Sequence, residues 1–386
     1  MTNIYLIRHA EAEGNLYRRI QGHWNGRVTP RGLRQIDALA ERFRDIPLDA
    51  LYSSDLQRTC TTAGAITRYH ALELQTTPRL REICMGTWEG RPWGDVEYEQ
   101  PEQMHFFNND PEKWSVPGSE PFAAVQQRMS DVLRELAQRH EGQTIAAVSH
   151  GMAIRAYICA VLGVPSAEIS RIPHGDNTAV TLVRFENGVP SLEYYNDNSH
   201  LPPELSTFNR QTWWKSESPD LGNLRFAPLH FPEDDEFYMR CYADAWQAAH
   251  GSTDGFVPSL YLRSAHRHAK TPDTLVKILS GDRVAGVIEL DPAHGEQDGY
   301  GWVSFLYLLP EFRGLGWGVQ LLGHALWYFE TCARRAVRLH VAETNTRAIE
   351  FYEHYGFEKI GRDPGVSSDL YLMEKPLEGK AYHGSV

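Results

Sequence analysis

A short apolar run from Asn3 to Ile7 breaks off at Arg8-His9, so a strand is followed at once by a cation and a titratable ring. The pattern recurs. A second short strand ends at Leu51-Tyr52, ahead of a helix starting at Ser53-Ser54-Asp55, and a third, Ile145 to Val148, runs into Ser149-His150-Gly151 and a helix from Met152 to Leu162. Thr29-Pro30 supplies an N-cap and first-turn proline for a helix carrying Leu33, Ile36, Leu39 and Phe43. Short buried strands alternating with helices predict a parallel α/β sheet, with Thr178–Phe185 and Ser191–Tyr195 as closing strands.

From about His200 the texture changes. Pro202-Pro203, Trp213-Trp214 and the polar stretch from Lys215 to Gly222 carry little periodicity and read as a tail and linker. Order returns with strands near Leu224–Leu229, Leu275–Leu279, Arg283–Leu290, Gly301–Leu309, Val337–Val341 and Asp369–Met373. Helices are expected over Asp234–Ala249, Trp317–Cys332 and Asn345–His354. With 386 residues, two domains are expected: 1–205 and 222–386, joined by a linker at 206–221.

A net charge of −12 argues against nucleic-acid or anionic-membrane partners, and any site for an anion must hold its positive charge locally. The cysteines (Cys60, Cys84, Cys159, Cys241, Cys332) lie far apart with no CxxC pair. Neither a metal knuckle nor a disulfide framework is expected, which suits the cytoplasm. No signal peptide and no membrane span are expected either.

Open α/β sheets place chemistry at the carboxyl ends of strands. There this chain puts Arg8-His9 with Asn15 nearby, Arg58 in the first turn of a helix, Glu82, and His150. A cation near a helix N-terminus opposes the macrodipole, and a bound dianion would remove the conflict. Taken alone, Arg58 reads as a solvated surface arginine, and each of the others also has an ordinary structural role. Together they compose a phosphoryl-transfer site. A phosphoryl group in transfer spreads charge over its equatorial oxygens, which Arg8, Arg58, His150 and Asn15 would surround. A neutral nitrogen of His9 would attack, and Glu82 would give a proton to the leaving alkoxide and take one from water. No carboxylate cluster suggests a metal.

The run Leu6-Ile-Arg-His-Ala-Glu-Ala-Glu-Gly-Asn15 resembles the signature of the histidine phosphatase, or phosphoglycerate-mutase-like, superfamily. Gln21-Gly22, Thr29-Pro-Arg-Gly32, Tyr52-Ser-Ser-Asp-Leu-Gln-Arg58-Thr, Gly86-Thr-Trp-Glu-Gly90, Pro117-Gly-Ser-Glu120, Val148-Ser-His-Gly151 and Asn177-Thr also fit, over residues 1 to about 205. The resemblance implies a three-layer α/β/α fold, a phosphohistidine at His9, acid/base work at Glu82, and a phosphate pocket of Arg8, Asn15, Arg58 and His150. Ala10 and Ala12 stand where the family usually has Gly and Thr, which bears on rate more than on mechanism. The compact length favours a phosphatase of a small phosphorylated metabolite, similar to the α-ribazole phosphatase branch, over a mutase. The aromatic-rich segment from Gly90 to Gly118 (Trp93, Tyr98, Phe106, Phe107, Trp114) is either a lid over the substrate or a packing excursion on the domain's own core.

In the second half, Arg313-Gly-Leu-Gly-Trp-Gly318 joins a strand to a helix, which lets backbone amides approach a phosphate. With Asn345, Tyr352 and the closing run from Tyr355 to Arg362, this resembles a GNAT acetyltransferase from roughly 222 to 376. The resemblance implies a mixed-sheet α+β fold. It also implies acetyl-CoA held by Arg313, Gly314, Gly316 and Gly318, a pantetheine contact at Asn345, thiolate protonation by Tyr352, and an amine acceptor. Glu289 near a strand end is a candidate base, although a carboxylate so placed is more often simply solvated. The expected whole is a bifunctional phosphatase and N-acetyltransferase. The alternatives are a phosphatase with a non-catalytic acyl-CoA-binding module, and a phosphoglycerate-type mutase.

Overall fold

Side chains alternate along the first strand, β1 (Thr2–Arg8), so that it faces two cores. Ile4 and Leu6 enter one core, and Ile7, with Tyr5 beside it, enters the other. The computed structural model of the chain describes residues 1–209, 211, 220–365 and 368–377. The expected linker falls partly outside these. Its described beginning is packed: Ser206 and Thr207 are buried, and both bond to Asp176. The fold divides into a unit Met1–Asp220 and a unit Leu221–Val386.

In the first unit β1 is followed by α1 (Glu13–Tyr17), α2 (Pro30–Phe43), β2 (Ala50–Ser53), α3 (Gln57–Thr67) and β3 (Leu74–Thr76). Then come α4 (Trp93–Glu99), α5 (Pro101–Asn109), α6 (Phe122–Arg139), β4 (Thr144–Ser149), α7 (Gly151–Leu162), β5 (Val180–Glu186) and β6 (Val189–Asp197). The sheet order is β3-β2-β4-β1-β5-β6. The pairings from β3 to β1 are parallel and those of β5 and β6 antiparallel, so the expected parallel sheet is closed by a mixed edge. Helices α6 and α7 supply the core on one face, α2 and α3 the core on the other, which makes three layers.

Thr29 caps α2 by accepting the Gly32 N–H at 3.0 Å, with Pro30 in the first turn. Ile36, Leu39 and Phe43 are buried as their spacing implies, whereas Leu33 is exposed. The 90–118 segment is a packing excursion. Phe107 and Trp114 stack edge-to-face at 5.1 Å and both contact Trp88 inside the core.

The second unit runs β7 (Arg225–Pro228), α8 (Asp235–His250), α9 (Pro258–His268), β8 (Leu275–Ser280), β9 (Arg283–Asp291) and β10 (Tyr300–Leu308). It continues with α10 (Gly318–Thr331), β11 (Ala336–Ala342), α11 (Thr346–His354), β12 (Glu358–Asp363) and β13 (Leu370–Pro376). The sheet order is β12-β13-β11-β10-β9-β8-β7. Among the described strands of this sheet only the β10–β11 pair is parallel, and its pairing stops at Val303↔Leu339. Beyond that point β10 stays with β9 and β11 stays with β13, so two adjacent strand ends separate.

Candidate active sites

Register brings the first group of residues together. Arg8 of β1 pairs with Ser149 of β4, so the next residues, His9 and His150, leave the sheet side by side. Their rings lie 5.2 Å apart. His9 Nδ1 lies 2.7 Å from the Ala10 carbonyl oxygen, which can only accept, so Nδ1 carries the hydrogen and Nε2 the lone pair. Burial, then the nearby Arg58 and Arg8, hold the His9 pKa well below its usual value. The ring is therefore neutral at physiological pH.

Buried polar atoms without partners lie on the residues next to this ring: Nε of Arg8, Nε of Arg58, both ring nitrogens of His150, and Oδ1 of Asn177, whose amide bonds to the His9 carbonyl. Each such atom costs on the order of 1–3 kcal/mol, so a cluster of them marks a place for a polar ligand. The cluster is rich in cationic donors, which fits an anion. Gly151, the first residue of α7, makes room for it: a Cβ there would sit 3.3 Å from Arg8 Nε.

Arg58 is fully buried in the first turn of α3 and is not the solvated arginine it resembles in isolation. Its Nη1 donates to the Trp24 carbonyl at 3.0 Å and its Nη2 to the Gly22 carbonyl at 2.7 Å. Burial, opposed by Glu82, lowers its pKa to about 10. The loop that presents those carbonyls is folded around Glu89. That carboxylate accepts the N–H groups of Gly22, His23, Trp24 and Met85 at 3.1, 2.8, 2.8 and 2.9 Å. Glu89 lies inside a motif recognised from the sequence, yet no role for it was expected.

Glu82 lies at the N-terminus of α7. Its Oε1 accepts from Ile83 and Ala153, and its Oε2 from Met152 at 3.0 Å. Arg128 fixes the loop behind it, donating to the Glu82 carbonyl while clamping Glu120. Asn15 spends its Oδ1 on the Ala12 N–H, which leaves its amide NH2 as the other polar end of the side chain. Asn177 donates to the His9 carbonyl at 3.0 Å and ties this loop to the His9 backbone.

The second group lies where β10 and β11 separate. Gly314 and Gly316 have φ of +83° and +77°, a left-handed conformation that favours glycine. An added Cβ at Gly316 would meet nothing within 4 Å, so its requirement is conformational rather than steric. The loop ends at Gly318, the start of α10, which lies against Phe351 of α11. Arg313 donates to the Leu308 carbonyl and to Asp244. Asn345 caps α11 by accepting the Ala348 N–H at 3.2 Å. Tyr352 packs between Phe351 and Phe357, and burial pushes its pKa up. Glu289 is buried and bonded rather than solvated.

Residues 4–198 match the model of the histidine phosphatase superfamily (branch 1). The chain belongs to that superfamily. Residues 235–357 match the acetyltransferase (GNAT) family, so a GNAT domain follows the histidine phosphatase domain in the same chain. The histidine phosphatase half is 33% identical over 201 residues to phosphoserine phosphatase 1 of Hydrogenobacter thermophilus, covering 52% of this chain and 95% of that protein. It is 32% identical to a probable phosphoglycerate mutase GpmB of Proteus mirabilis, covering 48% of this chain and 86% of that one. Among solved structures, YhfR of Bacillus stearothermophilus is similar at 29% identity and a TM-score of 0.50, covering 52% of this chain and 99% of that one. Among the described residues no helix is long and apolar enough to cross a membrane, and no group of three or more His, Cys, Asp or Glu could hold a metal ion.

Proposed function

We propose that the histidine phosphatase domain hydrolyses a small phosphomonoester through a phosphohistidine at His9. The observation that carries this reading is the His9 tautomer. With Nδ1–H committed to Ala10, Nε2 is left with its lone pair among unpartnered cationic donors. In the first step Nε2 bonds to phosphorus, the ester oxygen leaves, and a Glu82 carboxyl gives it a proton. In the second a water loses its proton to Glu82 and attacks the phosphorus, and the nitrogen–phosphorus bond breaks. The His150 ring and the Asn15 amide donate to the equatorial oxygens, and the Arg8 and Arg58 guanidiniums neutralise them. These cations supply the charge a metal otherwise would, so we infer a metal-independent reaction.

The relative named as a phosphoserine phosphatase makes phosphoserine the first substrate to try. The relative named as a probable mutase keeps phosphoryl exchange as a second reading. The test is hydrolysis of phosphoserine and of a generic aryl phosphate, with and without chelator, by wild type, His9→Ala and Glu82→Gln. Turnover lost in His9→Ala and slowed in Glu82→Gln supports the reading. Exchange between phosphoglycerates that outruns hydrolysis supports the mutase.

For the GNAT domain we infer acetyl transfer from acetyl-CoA to an amine. The positive-φ glycines at a helix start suit a pyrophosphate, which fits the residues present. The amides of Gly314, Gly316 and Gly318 with Arg313 would hold it, and the amide NH2 of Asn345 would meet the pantetheine arm. When bound, acetyl-CoA supplies an acyl carbon activated as a thioester. Tyr352, kept protonated by burial, is in the state that a proton donor needs. Acetyl-CoA binding that fails in Gly316→Val tests this reading; a domain that binds acyl-CoA yet acetylates no amine is a sensor module.

A further inference from the structure

A cavity of about 340 Å³ in the GNAT domain is lined by Tyr238, Tyr242, Tyr261 and Trp302, with Glu289 in its wall. The aromatic faces are close: Tyr242 stacks on Tyr261 with centroids 4.2 Å apart, and Tyr238 lies 5.7 Å from Tyr242. Trp302 and Ser304 reach the cavity from either side of Val303, the last residue of β10 paired to β11. The cavity therefore opens beside the strand separation that precedes the glycine loop.

Glu289 is 2% exposed. Its Oε2 accepts from Tyr238 Oη at 2.5 Å, and its Oε1 from His268 Nδ1 at 2.6 Å. His268 is 4% exposed and sets Nε2 3.2 Å from Asp291 Oδ2. A buried carboxylate is tolerated only when compensated. Here two carboxylates share one imidazole, so even with His268 protonated the cluster keeps a negative charge. Among the described residues no Lys or Arg lines the cavity, and Arg267, within electrostatic reach of Asp291, is exposed. Tyr238 and Tyr242 are held in the phenol form by burial and by Glu289. Aromatic faces around a buried negative charge match a desolvated ammonium, which gains from both.

We propose that this cavity takes the acceptor as an aliphatic ammonium ion with no anionic group beside it, and that Glu289 receives its proton. The proposal rests on the acetyltransferase reading and narrows its acceptor. One ammonium N–H bond breaks and one O–H bond forms on a free lone pair of the Glu289 carboxylate. The electron pair stays on nitrogen, giving the neutral amine that an acyl carbon requires. Glu289 then releases the proton to solvent. Tyr238 and His268 position the carboxylate.

The test is calorimetric titration of the full chain with butylammonium, butan-1-ol and 4-aminobutanoate, alongside acetyl-CoA. Butylammonium should bind at least ~10-fold more tightly than either other probe, since a desolvated cation gains from both the aromatic faces and the buried negative charge. Glu289→Gln should lose at least ~10-fold for butylammonium while keeping acetyl-CoA affinity. Its residual acetyl transfer should climb with pH toward an ordinary amine pKa of about 10.4, because the variant depends on amine that is already neutral. Tyr242→Leu weakens butylammonium independently, should Glu289→Gln not fold. Equal binding of the alcohol, or unchanged butylammonium binding in either folded variant, overturns the proposal. Failure of wild type to bind acetyl-CoA defeats the acetyltransferase reading instead, and the amine titrations still decide what the cavity holds.

Discussion

His9 and His150 stand 5.2 Å apart because Arg8 and Ser149 are paired in register on neighbouring parallel strands. The His9 N–H donates to the Ser149 carbonyl at 3.0 Å, which extends the ladder one residue past the sheet. Two rings are thus fixed by backbone rather than by each other, and both are buried among arginines. The unmet donors of this cluster are what a phosphate would satisfy in the proposed reaction.

That arrangement sets a pH dependence. Burial holds the folded-state pKa of His9 and of His150 well below 6.5, so the unfolded chain takes up protons first as pH falls. The contribution of these histidines should be constant above about pH 7 and decline below about pH 6.5, by about 1.4 kcal/mol per pH unit for each. His174 and His200 act in the same direction. Urea unfolding at pH 7.5 and 5.5 should show a smaller loss in His150→Gln than in wild type, by the share of one histidine. Saturating phosphate should reduce the loss in wild type, since an anion favours the charged rings.

Glu89 touches none of the unpartnered atoms, but it orders the carbonyls that grip Arg58. Glu89→Gln leaves one amide oxygen where four N–H groups converged on two carboxylate oxygens. Losing charge-assisted bonds of about 1.5–3 kcal/mol should weaken inorganic phosphate binding ~10-fold or more. Far-UV circular dichroism should be unchanged, and phosphate affinity by calorimetry is the readout. A variant that binds phosphate like wild type removes Glu89 from the positioning role.

Gly151→Ala places a methyl 3.3 Å from Arg8 Nε. The guanidinium must give by a few tenths of an ångström, while α7 keeps a residue that suits a helix. Phosphatase kcat/KM should fall about 10-fold with little change in melting temperature, because small misplacements at a reacting centre are costly. Loss of stability with kcat/KM intact would show the contact to be purely structural.

Gly316→Ala tests the loop proposed to hold acyl-CoA. The position has φ of +77° and open space around it, so the cost to the free protein is backbone strain of about 1–2 kcal/mol. Acetyl-CoA affinity should fall by roughly the same free energy, about 10-fold, if the loop relaxes out of that conformation. Chemical denaturation and calorimetry on the one variant separate the two effects.

Much of this was legible in the sequence because strand ends announce themselves. Arg8-His9 and Ser149-His150 each follow a short apolar run, and their meeting follows from pairing two such strands. The burial of Arg58 was not legible, since a lone arginine in a first turn looks solvated and its partners are backbone carbonyls from a loop more than thirty residues earlier. Glu89 was invisible for the same reason: its partners are amides, which carry no residue identity. Helix α6 carries a clear period in Phe122, Val125, Met129, Val132 and Leu136, all buried, yet it was not expected. Helix α9 was also missed. Strand β12 gives no signal because every residue in it is exposed, so no alternation records a core. Glu289 shows the limit most plainly. Solvation was its more ordinary role, and only the tertiary approach of Tyr238 and His268 places it in a cavity wall.

The central claim is a covalent phosphohistidine at His9, and rapid acid-free quenching after mixing with a phosphorus-32-labelled substrate tests it most directly. Wild type should carry a label that survives alkali and is released by acid, as a nitrogen–phosphorus bond requires. His9→Ala should carry none, and Glu82→Gln should change how fast the label forms and decays without moving it. Turnover with no labelled protein at any time, or a label that persists in His9→Ala, would contradict the account.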